Sequence, residues 1–230
     1  MMEKAISGAA KSIQELHKRT LQIIEEGRRK EEERLANGVI YLPTWREDKR
    51  ASPNSFLRSA LFAAIQGKDR LDLKRAEIFS QEGITMTYTG EQLNQEDLTV
   101  WLALVDLMKK DPLGAKCKFS GREILKYMGL GTGGREYERL ENSILRMTAC
   151  AVVIKTEKYT YGKSLIEGFV IDESTNEYRV ELSRHLIKLF GDNDWTAIDW
   201  DQRKQLRNKP LSLKLHDYYS SPEKDRKSVV

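Results

Sequence analysis

The order of signals between Lys116 and Leu182 constrains this chain more than any other feature of its sequence. Lys116-Cys117-Lys118-Phe119 alternates as a short strand does. Ser120 then caps a helix through Ile124, Leu125 and Met128, and Glu123 completes a capping box. Gly129-Leu130-Gly131-Thr132-Gly133-Gly134 makes a tight turn. A second helix is expected from about Arg135 to Cys150, with Tyr137, Leu140, Ile144, Leu145 and Met147 on its buried side. Strands follow at once: Val152-Val153-Ile154, a turn through Tyr161-Gly162-Lys163-Ser164, Leu165 to Ile171, a turn at Ser174-Thr175-Asn176, and Tyr178 to Leu182. Strand, helix, glycine turn, helix and hairpin is the order of a winged helix-turn-helix, so the expected class is α+β.

In that arrangement the second helix meets the major groove of DNA and the first crosses the backbone. Arg135, Arg139 and Arg146 fall at spacings that put Arg135 and Arg139 on one helical face, with Arg146 extending it by two turns. Lys126 on the first helix and Lys155, Lys158 and Lys163 around the hairpin add candidate phosphate contacts, and Tyr159 and Tyr161 near the wing tip are placed to stack on the sugar backbone. The competing reading pairs Arg139 and Arg146 with Glu136, Glu138, Glu141 or Glu123 on a solvated surface, and the spacing alone does not choose between the two. Charge agrees weakly with DNA. The formal net charge is only +4, but residues 101–150 carry +3 and residues 201–230 carry +4, separated by −3 over residues 151–200.

The rest of the 230 residues bounds the function further. Residues 3 to about 36 read as an exposed helical arm: Ile6, Ile13, Leu16 and Ile23 fall near heptad spacing, Thr20 occupies a seam position and Gly27 interrupts it. A linker is expected from Asn37-Gly38 through Pro43, Pro53 and Asn54. Phe56, Leu57, Ala60, Leu61 and Ile65 suggest a short amphipathic helix, and Ile84 to Thr89 a strand. Leu98, Trp101, Leu102, Leu104, Val105 and Met108 mark a core helix, with Asn94 as its cap and Lys109-Lys110 in its last turn. No stretch reaches the ~20 apolar residues of a membrane span, and no apolar signal segment follows Met1, so a cytoplasmic protein is expected. Cys117 and Cys150 have no metal-ligand spacing and read as core residues.

Nothing points to catalysis, a metal or a cofactor. His17, His185 and His216 lie in unrelated segments without a nucleophile or ligand companion at useful spacing. The glycine turn matches G-x-G-x-x-G, but a helix precedes it where a dinucleotide site needs a strand. Gly162-Lys163-Ser164 resembles the end of a phosphate loop, but Glu157 stands where that loop needs glycine, and no helix follows.

Several short motifs, in order, resemble the TrfA-type plasmid replication initiators: Leu42-Pro43-Thr44-Trp45-Arg46 with Pro53-Asn54, Arg58-Ser59-Ala60-Leu61-Phe62, Ile84 to Gly90, Pro112-Leu113-Gly114, Leu189-Phe190-Gly191-Asp192 and Asp217-Tyr218-Tyr219-Ser220-Ser221. The resemblance implies two winged-helix domains that bind iteron repeats in the double-stranded DNA of a plasmid origin. It also implies recruitment of the host replication initiator and replicative helicase, and exchange between an inactive homodimer and a DNA-binding monomer. Where such initiators carry a Gln-Leu-x-Leu-Phe-like peptide for the sliding clamp, this chain has Gly38-Val39-Ile40-Tyr41-Leu42; Leu186 to Phe190 looks similar but reads as a packed helix.

The organisation expected from this resemblance is a charged helical arm and linker over 1–40, a first winged-helix domain over 41–205, and over 206–230 only the first helix of a second winged helix, with Leu211, Leu215 and Tyr218 as its apolar stripe. The expected function is plasmid replication initiation by a DNA-binding protein that is not an enzyme. The alternative is a short interaction form that dimerises with a full-length initiator and regulates copy number.

Overall fold

The computed structural model describes residues 14, 15, 17–22, 25, 26, 38, 40–66, 69–114 and 116–222, and the side chains of 192 and 193 lie outside that description. The chain divides into two units, 1–40 and 41–230. In the first, the described residues between 14 and 26 are helical and exposed; the expected seam positions Ile6, Ile13, Leu16 and Ile23, and the break at Gly27, lie outside the described residues. The tail after Pro222 does so too.

Among its described residues, the second unit mixes helices with three antiparallel sheets and one short parallel pair. Strand β1 (Lys49–Pro53) pairs antiparallel with β11 (Trp195–Asp199), from Lys49 opposite Asp199 to Pro53 opposite Trp195. Pro53 and Asn54, expected as linker, are therefore a buried junction between β1 and the helix that follows. Helix α1 (Asn54–Leu57) covers one turn only, and Phe62–Ala63 is a short strand, β2, in place of the expected helix through Ile65. Ser59 explains the break. Its hydroxyl donates to Phe56 O (3.3 Å) and accepts from Leu61 N (3.3 Å), a local alternative to helical hydrogen bonds.

Strands β3 (Asp72–Ile78), β4 (Thr85–Glu91), β7 (Ala151–Lys155) and β8 (Thr160–Lys163) form one sheet in that order; β2 pairs with β5 (Leu93–Asn94). Met86, Tyr88, Val152, Ile154 and Tyr161 alternate onto the buried face of the four-stranded sheet. Helix α2 (Gln95–Met108) begins where Asn94 accepts from the N–H groups of Glu96 and Asp97 while the Asp97 carboxylate accepts from Asn94 N. Apolar on nearly all sides, α2 is buried along its length, with Trp101 edge-on to Phe56 at 5.1 Å.

Strand β6 (Lys116–Ser120) leads into helix α3 (Gly121–Tyr127), the glycine turn and helix α4 (Gly134–Ala149). Strands β9 (Gly168–Asp172) and β10 (Glu177–Glu181) return to pair with β6 in a second sheet, ordered β6-β10-β9. The helices and their order match the sequence reading, but the strands after α4 divide differently. Tyr161, Gly162 and Lys163 of the turn expected over 161–164 belong to β8, and the hairpin reverses at Thr156–Tyr159, where Thr156 N donates to Tyr159 O (2.9 Å). Leu165 and Ile166 are not strand: both donate their N–H to Met147 O at 3.1 Å, which fills the C-terminal carbonyl of α4 and buries both side chains.

After β10 a 3-10 helix (Arg184–Asn193) buries Leu186, Leu189 and Phe190, with Phe190 stacked on Trp45 at 6.5 Å. Helices α5 (Trp200–Gln205) and α6 (Pro210–Ser220) complete the unit. On α6 the buried residues are Leu213 and Asp217, while Leu211, Leu215 and Tyr219 are exposed.

Candidate nucleic-acid interface

The glycine turn is sharp because α3 ends in a left-handed residue. Gly129 has φ +70°, its N–H donates to Lys126 O (2.9 Å), and Leu130 N donates back to Leu125 O (2.8 Å). These two bonds close the helix in the manner of a Schellman motif, and a side chain at position 129 would be strained. At the other end of α3, Ser120 N donates to Glu123 Oε2 (3.0 Å) and Ser120 Oγ accepts from Glu123 N (3.2 Å). Those hydrogen bonds hold the Glu123 carboxyl below the usual carboxylate range. Gly121 starts α3 because an added Cβ would lie 2.7 Å from the ring of Tyr137 and 2.8 Å from that of Tyr178. The first turn of α3 thus packs directly under α4.

The seven basic residues expected at the interface fall into three groups. Lys126, Arg135 and Arg139 are exposed around the turn and the first half of α4, with Arg139 3.6 Å from Glu136 and 54% exposed. Arg146 is turned inward. Its guanidinium meets Asp97 Oδ1 at 2.9 Å and the side chain is 15% exposed, so it fastens α4 to the start of α2 instead of extending the basic face. Asp97 is fully buried and also accepts from Arg70 (2.8 Å) and Ser143 Oγ (2.7 Å), which gives one carboxylate two arginines and a hydroxyl. Lys155, Lys158 and Lys163 lie on the β7–β8 hairpin, which leaves from the end of α4 opposite Arg135, and Lys163 pairs with Glu167 at 2.8 Å.

The two tyrosines do not present free faces at a wing tip. Tyr161 is buried on the inner face of β8, and the Tyr159 hydroxyl donates to Lys188 O (3.1 Å). The tip of the β9–β10 hairpin is acidic, carrying Asp172, Glu173 and Glu177, and Asp172 accepts from Ser174 and Thr175. The hairpin with lysines is therefore β7–β8, in the other sheet.

Two further cations reach the glycine turn from α5 and the segment after it. Arg207 Nη1 donates to Gly129 O (3.2 Å), and the Lys204 side chain lies against Gly129, where an added Cβ would sit 3.4 Å from Lys204 Cδ. Arg139, Lys204 and Arg207 line one cleft of about 220 Å³ whose apolar residues include Val100, Leu125, Leu140 and Trp200. The basic character of residues 201–230 was legible in the sequence; its position beside the turn was not.

Asp106 fixes the back of α3. It accepts from Trp45 Nε1 (2.6 Å), Lys109 Nζ (2.9 Å) and the Tyr127 hydroxyl, while the Arg50 guanidinium lies 4.5 Å from the Tyr127 ring and 4.9 Å from that of Trp200. Burial pushes both thiols up, Cys117 to about 11. Among the described residues no group of three or more His, Cys, Asp or Glu side chains is arranged to hold a metal ion, and no helix is long and apolar enough to cross a membrane.

The family model for the TrfA protein matches residues 4–227. A plasmid replication initiator protein TrfA of Escherichia coli is 29% identical over 185 residues, an alignment that covers 77% of this chain and 48% of that protein. The chain thus spans about half the length of the relative it matches. A crystal structure of domains 2 and 3 of RctB shares the fold at a TM-score of 0.51 and 14% identity, over 74% of this chain and 73% of that one. With nearly its whole length matched by the family model, the chain belongs to the TrfA protein family.

Proposed function

We propose that this chain is a non-enzymatic plasmid replication initiator that binds directly repeated iteron sites in duplex origin DNA, with residues 116–182 acting as a winged helix-turn-helix. One observation carries the reading. Arg135 and Arg139 are exposed in the first half of α4, next to an exposed glycine turn, on a helix whose other face is braced by Arg146 against buried Asp97. The N-terminal part of the second helix is the part that reaches base edges in such motifs. A helix braced at a fixed angle loses less freedom on binding than a loose one. Origin melting and recruitment of the host initiator and helicase belong to the same proposal and rest on the family alone.

Fluorescence anisotropy tests it. The protein is expected to bind a duplex carrying the origin repeats more tightly than a scrambled duplex at ~0.15 M salt, with affinity falling steeply as salt rises. Arg135→Ala with Arg139→Ala is expected to weaken the repeat duplex and narrow the difference between the two. Equal affinities for the two duplexes in the native protein would remove sequence-specific initiation.

The exposed Leu211, Leu215 and Tyr219, which recur every four residues on α6, favour a second reading: an interaction form that pairs with a longer initiator and limits copy number. In that reading α6 is the first helix of a second winged-helix domain. Light scattering with and without a full-length initiator decides it, because a strict monomer that never mixes would end that reading.

A further inference from the structure

We infer that Lys204 and Arg207, at the corner between α5 and α6, form a second phosphate-contacting edge beside the glycine turn, so that a duplex lies across both α4 and this corner; the inference rests on the DNA-binding reading above. Its basis is that the first turn of α2 holds both basic elements. Asp97 fastens α4 through Arg146 and Ser143. Two residues earlier, Gln95 accepts from Arg203 Nη2 through its backbone carbonyl (3.2 Å) and its side-chain oxygen (3.3 Å), and Thr99 Oγ1 accepts from the same nitrogen (3.2 Å). Arg203 is itself buried against Asp217 of α6. One turn of helix therefore sets the spacing between Arg139 on one side and Lys204 with Arg207 on the other.

Two hydrogen bonds tie the corner to the turn itself. Trp200 Nε1 donates to Tyr127 O (3.4 Å) and Arg207 Nη1 to Gly129 O (3.2 Å), so residues on either side of the α3 terminus are held from α5 and its continuation. The basic C-terminal block is consequently a docked edge of the helix-turn-helix at these positions. Its charges are available to an anion. Lys204 pairs with Asp201 at 2.7 Å, but Asp201 is 75% exposed, and an exposed pair of this kind is readily exchanged for a phosphate. Glu96 and Glu136 line the cleft between the two elements, so the DNA backbone follows the exposed ends of Lys204 and Arg207 and does not enter the cleft.

The test is a salt titration of a short labelled duplex carrying the origin repeats, with the native protein, the Arg135→Ala/Arg139→Ala protein, and the variants Lys204→Gln, Lys204→Gln/Arg207→Gln and Asp201→Asn. The double glutamine variant is expected to weaken repeat and scrambled duplexes by the same factor and to lower the slope of log affinity against log salt by about 2, roughly one for each phosphate contact. Lys204→Gln, which removes no hydrogen bond to the turn, is expected to lower the slope by about 1, and Asp201→Asn to tighten binding. If Arg135→Ala/Arg139→Ala weakens binding while Lys204→Gln leaves affinity and slope unchanged, the inference is wrong and the DNA-binding reading stands. If the native protein binds neither duplex at ~0.05 M salt, both fall.

Discussion

Arg58 and Lys214 each reach the carbonyl end of the helix that carries the other. Arg58, at the C-terminus of α1, donates to Ser221 O (2.7 Å) just beyond α6 and lies 4.3 Å from the ring of Tyr218. Lys214, on α6, donates to Leu57 O (3.0 Å) at the end of α1 and to Ser59 O. Cations at helix C-termini satisfy orphan carbonyls and oppose the helix dipole. The exchange secures α6 without the apolar residues Leu211 and Leu215, which stay exposed.

The Lys214 side of this clasp predicts an inverted pH response. Burial lowers its pKa from the ordinary 10.5 to about 8, so between those values the unfolded chain binds more protons than the folded one. The Lys214 contribution to stability therefore rises with pH across that window, by roughly 3 kcal/mol in all. The thiols of Cys117 and Cys150, kept protonated by burial, act in the opposite direction over the same range, so the rise is read as the difference between the native protein and Lys214→Met in urea denaturation at intervals from about pH 7.5 to 9.5. A difference that stays constant over the same range contradicts the assignment.

Asp97→Asn removes the charge that two buried arginines share. Leaving Arg70 and Arg146 without it is expected to cost about 3–5 kcal/mol, read as a lower urea midpoint at unchanged slope. A loss below about 1 kcal/mol would mean that Glu91, whose carboxylate lies 3.4 Å from Arg70 and 3.8 Å from Arg146, compensates the two guanidiniums in place of Asp97.

Gly121→Ala places a methyl group against two tyrosine rings, and neither ring is a flexible chain end. The expected loss is about 1–3 kcal/mol, whereas Gly131→Ala, where an added Cβ meets nothing within 4 Å, is expected to change stability by less than about 0.5 kcal/mol. Thermal denaturation of the two variants side by side separates packing from general effects of losing a glycine.

Arg146→Ala and Arg139→Ala are expected to diverge. The first lowers stability and leaves the salt slope of DNA binding unchanged in the folded fraction. The second leaves stability within about 0.5 kcal/mol and lowers the slope by about 1. Parallel melting curves and salt titrations distinguish a brace from a phosphate contact.

Both thiols are expected to resist a disulfide reagent near pH 8 while the protein is folded and to react fully once urea unfolds it. Burial keeps Cys117 and Cys150 protonated, and the thiolate is the reactive form. Rapid labelling of native protein would show that one of the two sites opens locally.

What the sequence made legible was local. Asn94 with Asp97 and Ser120 with Glu123 are capping pairs three residues apart, so α2 and α3 begin where their residues say. Most of what failed depended on distant partners. Arg146 sits at a helical spacing that continues Arg135 and Arg139, and only Asp97, 49 residues earlier in the chain, turns it inward. Tyr161 looks like a hairpin tip until β7–β8 joins β3–β4, which puts its ring on the buried face of that sheet. One failure was local: Ser59 diverts the helix expected after Phe56, because a hydroxyl competing for backbone groups leaves no trace in hydrophobic periodicity. Lys204 and Arg207 were visible as charge, but their place beside Gly129 depends on the Arg203–Asp217 and Arg203–Gln95 contacts inside the unit.

Because β1 and β11 meet through residues as far apart as Lys49 and Asp199, 150 positions in sequence, their ribbon cannot close until the chain has been made as far as Asp199. Closing so long a loop is entropically costly, whereas β6, α3, α4 and the hairpins after them draw on nearby sequence. During synthesis α3, the glycine turn and α4 are able to form first. The corner bearing Lys204 and Arg207 docks only after β11 has left the ribosome, so a nascent chain halted before that point carries α4 without its neighbouring basic edge.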